Sequence, residues 1–128
     1  MKRTLALSTL LLLLCLSPVM AAETVTPPVE LADAATIAVD WSKGNAQTVT
    51  LGGNRTLTFS NGQKGGRYLL IIKQDGTGSR TVTWPASIRW PGGKPQSSIL
   101  TTTANKTDYI TFFYNGVTYD VLALAQNY

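Results

Sequence analysis

Histidine is absent from the 128 residues, and the single cysteine, Cys15, falls inside an apolar run near the N-terminus. Without these side chains the remainder of the chain has no usual general base, no soft metal ligand and no thiol nucleophile. Most hydrolytic, redox and zinc chemistry is thereby excluded, and neither a metal nor a cofactor is expected. Disulfide staples are excluded as well, so the fold must rest on its own packed core. Charge is sparse at 14% of residues. Past the N-terminal run, no segment repeats apolar residues at helical spacing over three turns, which excludes a helical bundle.

Lys2 and Arg3 precede an apolar stretch over residues 5–16, followed by Pro18 and the small-residue end Ala21-Ala22. This order predicts a signal peptide over residues 1–22, cleaved after Ala21 or Ala22. The run is shorter than the roughly 20 residues a spanning helix needs, so membrane contact is expected only through the signal before cleavage. Leu14 stands where lipidation at Cys15 would want a small residue. The mature chain is expected to be secreted, periplasmic or surface-displayed. Eleven basic residues stand against seven acidic, and the signal carries off Lys2 and Arg3. The rest of the basic residues are scattered singly, so no nucleic-acid partner is expected.

Residues 23–34 hold Pro27-Pro28 and read as an extended arm or linker. Over residues 35–128 a period of two takes over. Ile37, Val39 and Trp41 share one face; Val49, Leu51, Leu57 and Phe59 continue the pattern across glycine and asparagine breaks. The stretch RYLLIIKQ, residues 67–74, predicts a central strand buried on both faces. The loop at residues 75–79 then predicts a hairpin with residues 80–84. A short extended piece is expected around Ile88 and further strands at residues 99–103 and 108–114, and Asn115-Gly116 predicts a tight hairpin returning through residues 117–124. The expected fold is all-β: an antiparallel β-sandwich with jelly-roll or Greek-key connections and about eight or nine short strands, with a small barrel as the alternative.

Chemistry-bearing residues are few. Asp40, Asp75, Asp108 and Asp120 are the candidates for a glycosidase-type carboxylate pair, although Asp75 also opens an ordinary glycine-rich turn. Asn54-Arg55-Thr56 and Asn105-Lys106-Thr107 match the glycosylation acceptor pattern. Trp84, Trp90, Tyr109 and Tyr119 could stack on sugar rings or anchor a protein interface. Alternation with Val82 places Trp84 in the core, whereas Trp90 lies in a Pro- and Gly-rich loop and is the one expected at the surface. The expected contacts of a ligand are therefore Trp90, Gly92, Gly93 and Lys94, together with Asp75, Thr77 and Ser79 of the second loop.

NRTLTFSN at 54–61, LLIIKQDGTGSRTVTWPASIRWPGG at 69–93, LTTTANKTDYITFFYNGVTY at 100–119 and the terminal LALAQNY resemble the β-rich C-terminal domain of tailed-phage tail-fibre and other virion surface proteins. That resemblance implies a non-enzymatic appendage domain, often trimeric, which displays loops to a cell-envelope glycan or protein. The signal peptide is a departure, because tail fibres are assembled in the cytoplasm; it points to an exported bacterial module of prophage origin or to a phage product for the envelope. Two other functions fit the residues: a filament subunit assembled by strand addition through residues 23–34, and a glycan hydrolase using an Asp pair.

Overall fold

The computed structural model describes residues 25–93 and 99–128. The expected signal peptide and Lys94 lie outside them. Among the described residues there are nine strands: β1 (Val29–Glu30), β2 (Thr36–Asp40), β3 (Ala46–Leu51), β4 (Arg55–Ser60), β5 (Arg67–Gln74), β6 (Val82–Thr83), β7 (Ile88–Arg89), β8 (Thr107–Tyr114) and β9 (Tyr119–Ala125). Two sheets result, a large one in the order β1-β3-β5-β8-β9-β7 and a small one in the order β2-β4-β6. The protein is all-β, as the alternation predicts.

Strand direction differs from expectation. From β1 to β6 the chain alternates between the sheets, so neighbours within a sheet are two strands apart in sequence. They run parallel: β1 with β3, β3 with β5, β2 with β4 and β4 with β6. Only β5-β8 and β8-β9 are antiparallel. The first half is thus a roll of stacked coils rather than a jelly roll or Greek key, and the antiparallel pairs close it. The short glycine and asparagine breaks that suggest hairpins instead carry the chain across from one sheet to the other. Parallel strands ordinarily need a long crossover within one sheet; passing through the opposite sheet supplies it.

Inward residues of both sheets meet in one apolar cluster that includes Ile37, Val39, Leu57, Val49, Leu70 and Ile110. Phe59 is an aromatic hub, edge-on to Trp41, Phe112 and Tyr119 at 5.1–5.3 Å, while Trp41 stacks on Tyr68 at 4.7 Å. Three buried polar side chains sit where loops cross the core. Gln47 Nε2 donates to the Asp40 and Gly44 carbonyls. Gln74 Nε2 donates to the Arg80 and Thr101 carbonyls, and its Oε1 accepts from Arg80 N. Asp108 accepts from the amides of Thr101 and Asn127. Pairing of this kind offsets the cost of burying such groups, and of the three side chains only Gln47 Oε1 is left without a partner among the described residues.

These staples account for two corrections. The expected hairpin between RYLLIIKQ and residues 80–84 does not form: Gln74 grips both backbone groups of Arg80, and β6 then joins β4 in the small sheet. Nor is there a strand at 99–103. The amide and carbonyl of Thr101 are taken by Asp108 and Gln74, and Thr102 O accepts from Ser79 N, leaving no ladder to build.

A third correction concerns the arm. Val29-Glu30 adds in parallel to β3 of the same chain, Leu31 N donates to Thr48 O, and Asp33 forms a two-pronged ion pair with Arg55 at 2.7–2.8 Å. Residues 29–33 are therefore engaged within their own chain on the β3 side and are not a loose linker, while β1 remains the edge strand of the large sheet. The fourth concerns β5. It is central, but only Tyr68, Leu70, Ile72 and Gln74 are buried; Leu69 and Ile71 on the other face are half-exposed.

Candidate functional site

The hairpin expected at Asn115-Gly116 forms with a different turn: residues 115–118 make the loop, Tyr114 pairs with Tyr119, and of the two predicted turn residues only Gly116, at φ 98°, is left-handed. Along it, Thr111 pairs with Ala123 but Phe112 with Val121. Leu122 is thus an extra residue, a β-bulge, and is 53% exposed although it is leucine. Bulges of this kind re-aim side chains and interrupt pairing, and they are over-represented beside functional sites.

β7 covers the outer edge of β9 only at Tyr119 and Asp120. Beyond that point the chain turns away through Trp90, Pro91, Gly92 and Gly93. The two glycines hold φ 71° and 62°, a left-handed turn in which a side chain would be strained. The turn and the bulge leave an apolar groove of about 250 Å³ between them, lined by Trp90, Pro91, Ile99, Leu122, Ala123 and Leu124. Trp84 supports its floor, buried and edge-on to Trp90 with ring centres 5.2 Å apart. Neither indole N–H has an acceptor among the described residues, so packing and not hydrogen bonding sets both rings.

Across the Trp90-Pro91 wall lies a polar depression with Arg89 and Asp120. Their side chains meet fork to fork, Nε to Oδ1 and one terminal nitrogen to Oδ2, both at 2.6 Å. Thr118 Oγ1 and Asn115 Nδ2 also donate to the carboxylate, at 2.9 and 3.3 Å. The Arg89 guanidinium chiefly, then the Thr118 and Asn115 donors, hold the Asp120 carboxyl down at about 2, against the opposing desolvation. Arg89 nevertheless keeps about two thirds of its side chain in solvent.

The predicted contact residues do not form one site. Trp90 lies at the groove with Gly92 and Gly93 beside it. Asp75, Thr77 and Ser79 sit past the far end of β5, since Lys73 pairs with Thr107, whereas Arg67 pairs with Phe113, which pairs with Asp120. The eight residues of β5 separate the two ends by about 23 Å. Asp75 is moreover occupied: it accepts from the Thr77 and Gly78 amides and pairs with Arg80, whose guanidinium is the main cause of its carboxyl lying at about 2. Among the aromatic candidates, Trp84 and Tyr119 are buried, Tyr119 O–H accepting from Gly62 N, and Tyr109 stands on the outer face of the large sheet.

Each of the four aspartates is already engaged by donors of its own chain. Asp40 is held below the usual carboxylate range by donors from Ser42 and Asn61, Asp75 and Asp120 by arginines, and Asp108 is consumed by two backbone amides. A general acid near neutrality needs a raised carboxyl. Among the described residues, no cluster of three His, Cys, Asp or Glu could hold a metal ion.

Sequence reasoning missed Leu122 and the Arg89-Asp120 pair. The signal for the first was present in the run Val121-Leu122, where two neighbouring apolar residues violate the period of two. The second arises from parallel pairing between β7 and β9, which no local pattern reveals.

Against known proteins, the family model described as "putative phage tail fibre C-terminal domain" matches residues 25–119. No curated protein and no solved structure matches the chain.

Proposed function

The chain belongs to the phage tail fibre C-terminal domain family, and from that premise we propose that it is a non-enzymatic appendage module which docks on a protein or glycan of a cell envelope through the groove beside Trp90. The observation that carries this reading is the bulge. A leucine held 53% exposed next to a half-buried tryptophan has no packing role in its own fold, and exposed apolar surface of this kind marks interaction sites. An aromatic wall with Arg89 on its rim suits an apolar side chain flanked by an acidic group, or the hydrophobic face of a sugar ring.

In this proposal the signal peptide exports the chain, cleavage occurs after Ala21 or Ala22, and the product is virion-associated or surface-bound as a homo-oligomer, with a trimer favoured. N-terminal sequencing of the product tests the export step, and an uncleaved Met1 would refute it.

The binding step is tested by Trp90→Ala and Leu122→Asp, measured against whole cells and a glycan array. Each is expected to weaken binding by at least about tenfold, the effect of losing one aromatic or aliphatic anchor of about 1.4 kcal/mol or more, while circular dichroism stays unchanged. Undiminished binding by both folded variants would remove the groove from the claim.

A further inference from the structure

The outer face of the large sheet can be read row by row from its register. One end row runs Arg67, Phe113, Asp120, Arg89. The next runs Ala46, Leu69, Thr111, Ala123, and the third Thr48, Ile71, Tyr109, Ala125. A last row begins Thr50, Lys73, Thr107. Charge is confined to the end rows and to Glu30, which heads the third row at the β1 edge through its pairing with Thr48, so from β3 to β9 the two middle rows hold none. No described element lies over this face: β5 packs within its sheet on β3 and β8, and Leu69 and Ile71 do not join the core cluster.

We propose that this face is the contact between copies of this chain. An uncharged centre inside a charged rim is the anatomy of a protein interface. Five strands about 4.8 Å apart and four rows about 6.8 Å apart give a footprint of roughly 500 Å² per copy, close to the smallest share of a specific interface of about 1,000 Å². A glycan is less well served: besides the Tyr109 ring and hydroxyl the middle rows offer it threonine hydroxyls, with no convergent polar set. The relief suits a second copy. Leu69, Ile71 and Tyr109 form a ridge on β5 and β8, and Ala123 and Ala125 form a shallow ledge beside it on β9, so the ridge of one molecule can lie over the ledge of another. Tyr109 is 37% exposed, its ring braced edge-on by Tyr128 at 5.5 Å, which keeps the ridge in place. The contact also explains the composition of RYLLIIKQ, which has the two-sided apolar character of a doubly covered strand although the single chain covers only one side.

Light scattering on the protein in the form its host produces tests the contact. The native chain is expected to be oligomeric, and Ile71→Lys and Tyr109→Arg to reduce the mass to that of one chain. Tyr109 is exposed on this face and does not line the groove, so its arginine variant can fold without core strain. Trp90→Ala is expected to keep the native mass, which separates this contact from the groove and its partner. A monomeric native chain, or an oligomer that survives both substitutions, would overturn the proposal. Where neither variant folds, hydrogen exchange on the native protein across a dilution series decides: protection gained at high concentration in β5, β8 and β9 supports the contact, and protection confined elsewhere overturns it.

Discussion

Asp75 and Asp120 show how much of this protein's polar chemistry serves its own loops. Both carboxyls lie at about 2, each chiefly because of an arginine partner, against about 3.9 in an unfolded chain. A depressed folded-state value means that the ionised form stabilises the fold above about pH 4, and that this contribution disappears as the pH falls toward 2. The melting temperature should therefore be flat between pH 7 and 5 and drop below pH 4. Asp75→Asn and Asp120→Asn should each flatten that acid limb, a comparison that thermal scans across pH can make. At Gln74 the cost should be larger. Gln74→Leu leaves Arg80 N, Arg80 O and Thr101 O without their side-chain partner inside the core, and should destabilise by about 3 kcal/mol in urea unfolding. Residue identity was readable from sequence where it depended on near neighbours, as with Trp84, placed inward by alternation with Val82. It was unreadable where a partner came from a distant loop, as with Gln74 on Thr101 and Asp108 on Asn127, and at Gln47, whose near partners Asp40 and Gly44 flank a turn that folds back over it.

Elements were legible to different depths. Period-two alternation located β2, β3, β4, β5, β8 and β9, and Asn115-Gly116 located the β8-β9 hairpin but not its register, since Tyr114 pairs with Tyr119. The hairpin glycine is required by φ 98°, so Gly116→Ala should cost about 1 kcal/mol, measurable as a small, parallel shift of the urea midpoint. Alternation says nothing of strand direction, because inward and outward positions repeat identically in parallel and antiparallel ladders. A short break that crosses to the opposite sheet also carries the same glycines and asparagines as a hairpin turn. The bulge escaped notice because one inserted residue only shifts the phase of β9 partway along. Among the candidate contacts, Trp90 with its Pro-Gly-Gly turn was legible as a surface loop, while the groove itself was not, since it depends on where β7 stops covering β9.

At the scale of the whole molecule, the arm residues are part of the roll. Deleting residues 23–34 removes β1, Leu31 and the Asp33-Arg55 pair, and should lower stability by about 2 kcal/mol, or roughly 5 °C in melting temperature. A loosely attached linker would leave melting unchanged, so differential scanning calorimetry separates the two. The core and the all-β class followed from composition and periodicity, whereas the coiled path did not, because it is set by which distant segments stack. That path gives the molecule a polarity. At the β1 and β2 end, successive coils meet solvent as parallel strands, and β2 pairs on one side only, with β4. At the other end the β8-β9 hairpin reverses the chain and acts as a stop. Lengthening during evolution is thus one-directional: new windings can be spliced in ahead of residue 29 without disturbing any existing pairing, while additions beyond β9 must begin a separate structure.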